Sequence, residues 1–227
     1  MNKFIFGVRS KTRANIKLSN GYTLYEWAMR KNCPPTFWAR SICGDEAVTK
    51  EELEFLKNKN CKIALLFDEL TENEVSSGNG KESAEKAVRA AKELGVPENE
   101  NIAIIAVIED SWSVYNGWMI NFAQEIKDSG FEAGFIGNTD SSMNFNFDRH
   151  YSHFIEAGYT SICGATQPKI SGEPIDWSPY APSVIGPEDI QLWQTEDDAY
   201  KEISFSYIYA KDDDVLKSMW QYAGKED

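Results

Sequence analysis

The sequence predicts a mixed α/β fold, a (β/α)8 barrel of the TIM type, with residues 1–227 forming a single domain and an irregular last βα unit. Short β-rich apolar runs recur eight times, and segments with helical periodicity lie between most of them. No linker divides the chain, and 227 residues with 42% apolar residues can bury one large core. A doubly wound open sheet is the rival fold, but no Gly-x-Gly-x-x-Gly motif follows a strand.

The first half of the chain alternates strands and helices in three units. Strands are predicted at FIFGVRS (4–10), TFWARSI (36–42) and CKIALLFDE (61–69), and helices at TLYEWAMRKN (23–32) and TKEELEFLKNKN (49–60). Thr49 and Glu52 have the spacing of a capping box at the start of the second helix. In ESAEKAVRAAKELGVP (82–97) small and apolar residues follow helical spacing, and Gly95 marks the end of the helix.

The second half continues the alternation from the strand IAIIAVIED (102–110), which is apolar on both faces as in a parallel strand covered by helices. A helix is missing only between the seventh and eighth strands. The loop at 168–187 either covers a groove as a lid or only closes the chain between two strands. The remaining predicted elements are helix 114–130, strand 132–138, helix 147–158, strand 160–166, strand 189–195, strand 202–209 and helix 213–223.

Composition excludes several classes of function. The chain has 36 acidic and 23 basic residues, and its net charge of −13 argues against nucleic acid or an anionic membrane as a partner. Four cysteines without Cys-x-x-Cys spacing are most simply buried thiols, and His150 and His153 suit a helix surface better than a metal site. No phosphate loop or metal cluster indicates a cofactor. The apolar run near the N-terminus is too short for a signal peptide or a membrane span, which favours a cytoplasmic location, with secretion or wall association by another export route as the alternative.

Polar residues gather where the predicted strands end, which is the active face of such barrels. Carboxylates, amides and arginines there offer hydrogen bonds to sugar hydroxyls, and indoles offer a surface for stacking on a pyranose ring. The candidate catalytic residues are Asp110, Glu109, Asp68 and Glu69. The candidate substrate-binding residues are Arg9, Arg40, Trp112, Asn138, Trp177, Trp193, Gln194 and Glu196.

Asp110 and Glu109 stand out because they end the most apolar strand, and partial burial raises the pKa of a carboxyl toward the range of a general acid. Side chains alternate along a strand, so Asp110 shares the direction of Ile108 and Glu109 that of Val107. From the strand itself, only one of the two acids can point into the barrel mouth.

The order and spacing of five segments carry a family resemblance: FWARSICG, VTKEELEFLKNKNCKIALLFDE, SGNGKESAEKAVRAAKELGVPENENIAIIAVIED, FEAGFIGN and IQLWQ. In this order the chain resembles a glycoside-hydrolase-like domain of unknown function related to the family 25 lysozymes. The resemblance covers about residues 4–209. It implies a (β/α)8-type barrel with a carbohydrate-facing groove, and in the lysozyme relatives it implies cleavage between the sugars of peptidoglycan. It also implies acids at the ends of strands one and four, the latter as an Asp-x-Glu or Asp-x-Asp pair.

This sequence departs from that pattern. Arg9 stands where the first aspartate is expected, and Ser204 stands where the family often has another aspartate. On strand four the acid pair aligns either with Ile108 and Asp110 or, shifted by one residue, with Val107 and Glu109, and each alignment leaves one acid of the pair. Glycosidic cleavage by the usual mechanism needs two carboxyls. Two functions therefore remain: a glycoside hydrolase acting on a cell-wall glycan, with Asp110 as acid and Asp68, Glu69 or Glu196 as partner, or a pseudoenzyme that binds a glycan or a protein through the same groove.

Overall fold

Eight strands close into a barrel in sequence order, from β1 to β8 and back to β1. The computed structural model describes residues 4–142, 147–182 and 184–224. The strands from β1 to β7 pair in parallel, whereas β8 is antiparallel to both β7 and β1. The predicted mixed α/β fold with a single eight-stranded barrel is confirmed. The strands are β1 (Ile5–Arg9), β2 (Phe37–Ser41), β3 (Lys62–Phe67), β4 (Ala103–Val107), β5 (Glu132–Gly137), β6 (Ile162–Ala165), β7 (Leu192–Tyr200) and β8 (Ile203–Ala210).

Helices follow most of the parallel strands in the described residues. They are α1 (Leu24–Ala28), α2 (Lys50–Asn58), α3 (Glu72–Ser76), α4 (Gly80–Leu94), α5 (Asn116–Asp128), α6 (Phe147–Glu156) and α7 (Asp213–Lys217). The prediction that only the connection between the last two strands lacks a helix is wrong, since β6 and β7 are joined by a loop with one 3-10 turn at Pro187–Asp189. Strand β8 reverses direction because a short turn joins it directly to β7, and a parallel neighbour would require a longer crossover.

Two apolar layers arise from the alternation of side chains along each strand. In β4, Ile105 and Val107 belong to the cluster that fills the barrel interior. Ile104 and Ala106 belong to the larger cluster between the strands and the helices. All five residues of β4 are buried and the strand pairs in parallel with β3 and β5, as its apolar sequence predicts.

The boundaries of several helices differ from prediction for local reasons. Helix α1 ends at Ala28, earlier than predicted, because Lys31 and Asn32 adopt left-handed backbone angles in a turn that bridges Arg30 to Cys33. Helix α7 ends at Lys217 because Trp220 instead pairs with Ile63 at the start of β3. Helix α3 was not predicted, although Thr71 and Glu74 form a capping box that marks its start.

Half of the capping box predicted for α2 is formed. The Thr49 hydroxyl accepts a hydrogen bond from the Glu52 main-chain N–H, as expected. The Glu52 carboxylate, however, turns into the protein and binds the Arg40 guanidinium at 2.9 Å. A buried cation competes successfully for this carboxylate because an unpaired charge in the interior costs more than a free main-chain donor at a helix end.

The loop at 168–187, apart from Ser183, packs on the outside of the barrel except at Lys169, whose side chain reaches the mouth. The Ile170 N–H donates to the Thr195 carbonyl at 2.6 Å, and the Trp177 indole donates to the Ile190 carbonyl at 3.0 Å. The Trp177 ring also lies 5.0 Å from the ring of Phe4. The described part of this loop therefore covers a side of the barrel that lacks a helix.

Close contact between α4 and α5 depends on Gly80. A methyl group at this position would overlap the main-chain oxygen of Trp118 and lie 2.6 Å from the main-chain nitrogen of Phe122. We expect Gly80→Ala to lower the free energy of unfolding by about 1–3 kcal/mol, because two helix backbones must separate to admit the methyl group. Urea denaturation measures the loss, with Glu93→Ala on the exposed side of α4 as the control. Equal stability of the two variants would contradict the close approach.

Candidate functional site

Polar side chains form a ring at the end of the barrel where the parallel strands terminate. In each strand the apolar residues of the interior end before this point, and the next inward position carries a polar side chain. Because these ends meet at one mouth, their polar groups face a common space. The ring consists of Arg9, Ser41, Asp68, Glu109, Asn138, Thr166 and Gln194.

A cavity of about 290 Å³ opens at this mouth. Four of the candidate residues line it: Arg9, Glu109, Asp110 and Gln194. The sequence analysis thus identified the cavity residues at the end of β1, after the end of β4 and in β7. The remaining lining includes side chains from the loop after β6 and from the β7–β8 hairpin.

Arg9 lies in the cavity at the end of β1. Its Nη1 donates a hydrogen bond of 3.0 Å to Oε1 of Gln194. Burial lowers the pKa of the Arg9 guanidinium, and the negative charges of Glu109, Asp68, Asp197 and Asp110 oppose that shift. Arg9 is therefore a cation surrounded by carboxylates from β3, β4 and β7.

Both acids that follow β4, Glu109 and Asp110, line the cavity. Val107 belongs to the interior cluster and Ile108 to the outer one, so the alternation directs Glu109 inward. Glu109 is exposed at the mouth. Asp110 lies beyond the end of the strand, where its Oδ1 accepts a hydrogen bond of 3.3 Å from the Thr166 hydroxyl. The strand has already become a loop at this point, which frees Asp110 from the alternation.

Asp197 is an additional carboxylate of the cavity. Its Oδ1 accepts hydrogen bonds from the Ser206 hydroxyl at 2.8 Å and from the Gln194 amide at 3.1 Å, and its Oδ2 pairs with Nζ of Lys169 at 2.5 Å. Although burial acts to raise the pKa of Asp197, these partners outweigh burial and lower it. Asp197 is therefore an ionised, firmly oriented acceptor at neutral pH.

Glu196 does not reach the mouth, and the prediction that it acts there is corrected by a β-bulge. The pairing of β7 with β8 shifts between Gln194 and Glu196, so that Asp197 pairs with Ser206 on the inner face. Glu196 faces outward and binds Arg30 at 2.7 Å, together with the Gly172 N–H at 2.9 Å. Without the bulge, Gln194 and Glu196 would share the inward direction.

Asp68 and Glu69 follow β3 but do not line the cavity. The Asp68 Oδ1 accepts a hydrogen bond of 2.5 Å from the Ser41 hydroxyl. Both carboxylates lie near the Cys43 thiol, where burial first and then their negative charges raise the thiol pKa to about 12. Asp68 contributes to the electrostatics of the mouth through Arg9, and Glu69 packs beside Gly44.

Arg40 and Trp193 are buried, and the prediction that they contact a ligand is wrong. Both side chains point from their strands toward the outside of the barrel, away from the mouth. Arg40 follows the interior residue Ala39 and therefore points outward, where its guanidinium is fully buried against Glu52 under α2. Trp193 follows the interior residue Leu192 and likewise points outward. Its indole donates to the Pro168 carbonyl at 2.9 Å.

The other three candidates lie near the mouth or outside the barrel without lining the cavity. Trp112 is half-buried against the outer cluster, and its main-chain N–H donates to the Glu109 carbonyl at 3.0 Å. Asn138 is buried and accepts a hydrogen bond of 2.9 Å from the Asp140 N–H. Trp177 belongs to the loop on the outside of the barrel. None of these three side chains lines the cavity, although Asn138 belongs to the ring of polar residues at the mouth.

Sequence reasoning missed three polar side chains that line the cavity, Lys11, Lys169 and Ser206. Ser206 lies two residues after Ser204 on the inward face of β8, so the alternation of that strand would have identified it. Nothing in the sequence marks Lys169, because its position depends on how the long loop leaves β6.

Among residues 4–142, 147–182 and 184–224, no group of three or more His, Cys, Asp or Glu side chains has the arrangement of a metal site. The rings of His150 and His153 are 6.3 Å apart on α6, where His150 contacts Arg149 and His153 pairs with Glu156. In the same described part of the chain, no helix is long and apolar enough to cross a membrane.

Comparison with known proteins finds similar structures but no similar sequence. No protein-family model matches the chain, and no curated protein matches it. An uncharacterized protein of B. stearothermophilus has 20% identity and a TM-score of 0.79, with 95% of this chain and 100% of the other covered. A Tat-secreted protein of Mycobacterium tuberculosis, in complex with HEPES, has 13% identity and a TM-score of 0.59, with 90% and 94% covered.

The catalytic domain of an endolysin from bacteriophage P40 of Listeria monocytogenes is also similar, with 15% identity and a TM-score of 0.52. Here 95% of this chain and 98% of the endolysin domain are covered. At these identities the three likenesses show a common fold. A shared fold does not determine the chemistry at the mouth, which depends on the residues that line it.

Proposed function

We propose that this chain is a glycoside-hydrolase-like barrel of the TIM type whose mouth binds a cell-wall glycan of the peptidoglycan type without cleaving it. The observation that carries the proposal is the position of Arg9, which lines the cavity beside Gln194 where the lysozyme relatives would have a carboxylate. A hydrolase needs that position for chemistry, whereas a binding site gains a strong hydrogen-bond donor from it.

The rest of the cavity supports recognition of a hydroxylated ligand. Glu109 and Asp110 supply acceptors on one side, and Lys169 and Gln194 supply donors near the other. Sugar hydroxyls both donate and accept, so a cavity that mixes these groups can hold a pyranose ring in one orientation. A cavity of about 290 Å³ is close to the lower limit for small-molecule sites, which suits one sugar unit of a longer glycan.

The structural likenesses support the same class of ligand. An endolysin catalytic domain shares the fold, which favours a cell-wall glycan over other carbohydrates. The Mycobacterium tuberculosis protein is in complex with HEPES in one crystal form and with L-tartrate in another; both molecules carry hydroxyl groups and acidic groups, so this likeness supports a polar ligand and not specifically a neutral one.

Hydrolysis is the second candidate, favoured by the presence of Glu109, Asp110 and Asp197 in one cavity. Asp197 is held ionised by Lys169, so it suits the nucleophile or base and leaves Glu109 or Asp110 for the acid. Arg9 opposes this arrangement, because it occupies the end of β1, where the lysozyme relatives would have a carboxylate of the catalytic set.

The test measures binding and cleavage on the same glycans. We expect the wild-type protein to co-sediment with purified peptidoglycan, or to bind one of a panel of soluble glycans, and to release no reducing ends. Release that disappears in either Asp110→Asn or Glu109→Gln would establish the hydrolase instead. Failure of the protein to bind any of these glycans would overturn the proposed function.

A further inference from the structure

Arg9 has hydrogen-bond capacity that the protein does not use. A guanidinium has five N–H donors, and the bond from Nη1 to Gln194 is the one found for Arg9 in the described residues. Glu109, Asp68 and Asp197 act on Arg9 through their charge, yet within the described chain none of them forms a direct ion pair with it. Donors of Arg9 therefore remain for a ligand in the cavity.

The charges around Arg9 limit what that ligand can be. Three cations and three carboxylates line the cavity, and one further carboxylate acts on Arg9 from β3. These groups together carry one net negative charge, in a chain whose own net charge is −13. The cations are Arg9, Lys11 and Lys169, and the carboxylates are Glu109, Asp110, Asp197 and Asp68.

Lys169 adds little free positive charge, since its ammonium is already paired with Asp197 at 2.5 Å. Lys11 is exposed at the edge of the cavity, where water and salt screen its charge. The acceptor oxygens of Glu109 and Asp110, by contrast, lie on the cavity wall without a lysine or arginine bound to them in the described residues. An anionic ligand would be attracted by Arg9 but repelled by these two carboxylates, and the charged groups around it sum to one negative charge.

We propose that the cavity selects a neutral, hydroxyl-rich sugar and discriminates against its carboxylated counterpart, with Arg9 donating to the sugar oxygens and Glu109 accepting from its hydroxyls. This inference rests on the proposed glycan-binding function. A hydroxyl can satisfy a donor and an acceptor at once, whereas a ligand carboxylate can only accept and is repelled by Glu109 and Asp110. Arg9 orients the bound sugar, and the carboxylates select against ligands that carry a negative charge.

A matched pair of ligands tests this selectivity. The disaccharide of N-acetylglucosamine and N-acetylmuramic acid carries one free carboxylate, and its methyl ester has the same sugars without the charge. We expect calorimetry at low salt to show about tenfold tighter binding of the ester, with the difference shrinking as salt screens the repulsion. Equal or tighter binding of the free acid would overturn the inference and leave glycan binding intact.

Two variants locate the source of the discrimination. Glu109→Gln should reduce the difference between the two ligands to about threefold, because it removes one of the two repelling charges from the cavity wall and leaves Asp110. Glu100→Gln removes the same charge from an exposed loop before β4, at the other end of the barrel, and should preserve the full difference. An unchanged difference in Glu109→Gln would overturn the inference, whereas absence of binding to either ligand would overturn the proposed function as well.

Discussion

Replacing Arg40 with alanine should lower the free energy of unfolding by about 3–5 kcal/mol, because it leaves the Glu52 carboxylate buried without its cation. Both side chains are fully buried, and Nε of Arg40 lies 2.9 Å from Oε1 of Glu52. The variant also removes the donor that the carbonyls of Ser10 and Lys11 share at 2.6 Å each. Urea denaturation followed by circular dichroism measures the loss.

Two further variants separate the buried charge from simple truncation of an arginine. Arg30→Ala breaks the Arg30–Glu196 pair, whose side chains are 24% and 29% exposed, and we expect a smaller loss because water solvates the remaining carboxylate. Changing Arg40→Met together with Glu52→Leu should recover part of the loss, since no buried charge then remains. If Arg40→Ala costs no more than Arg30→Ala, the buried pair is not the source of stability.

Arg9→Gln should weaken glycan binding by about 10–100-fold while leaving the unfolding free energy nearly unchanged. Each hydrogen bond from a charged donor contributes about 1.5–3 kcal/mol, and glutamine retains polarity without the cation. The fold should tolerate the change because Arg9 makes one side-chain hydrogen bond, to Gln194, in the described residues. Calorimetric titration with the tightest-binding glycan of the panel measures the effect.

The control for Arg9 is Arg13→Gln, which changes the same charge on the exposed part of the loop after β1. We expect its glycan affinity to stay within about twofold of the wild type, because salt screens a distant exposed charge. Equal affinities of Arg9→Gln and the wild type would contradict the role of Arg9 and, with it, the observation on which the proposed function depends.

The buried pair also has a bearing on the mouth. The Arg40 guanidinium binds the main-chain oxygens of Ser10 and Lys11, the two residues that follow Arg9 and line the cavity beside it. The Glu52 carboxylate accepts in turn from the Ala14 N–H at 2.8 Å. The Arg40–Glu52 pair, on the helical side of β2, thus holds the loop after β1 that forms one wall of the cavity. Arg40 was predicted at the mouth, but it is buried behind this loop and supports it.

Local pattern was sufficient for most of the fold. The apolar run at β4 predicted a strand buried on both faces, and the spacing of Ala84, Ala87 and Ala91 predicted α4, because each of these signals repeats within a few residues. The position of Arg9 at the mouth followed from reading where β1 ends, whereas the alternation along β4 left open whether Glu109 or Asp110 points inward. These residues could be identified because strand ends meet at one face of a closed barrel.

Contacts between distant segments decided the rest. The bulge in β7 exists only through its pairing with β8, and it exchanges Asp197 for Glu196 as the inward carboxylate. Arg40 is buried because Glu52, on the following helix, turns inward instead of completing its cap. Sequence periodicity by itself determined which residues form strands and helices, whereas tertiary pairing determined which charged side chains face the cavity, because a charge is placed by partners that lie far away in the chain.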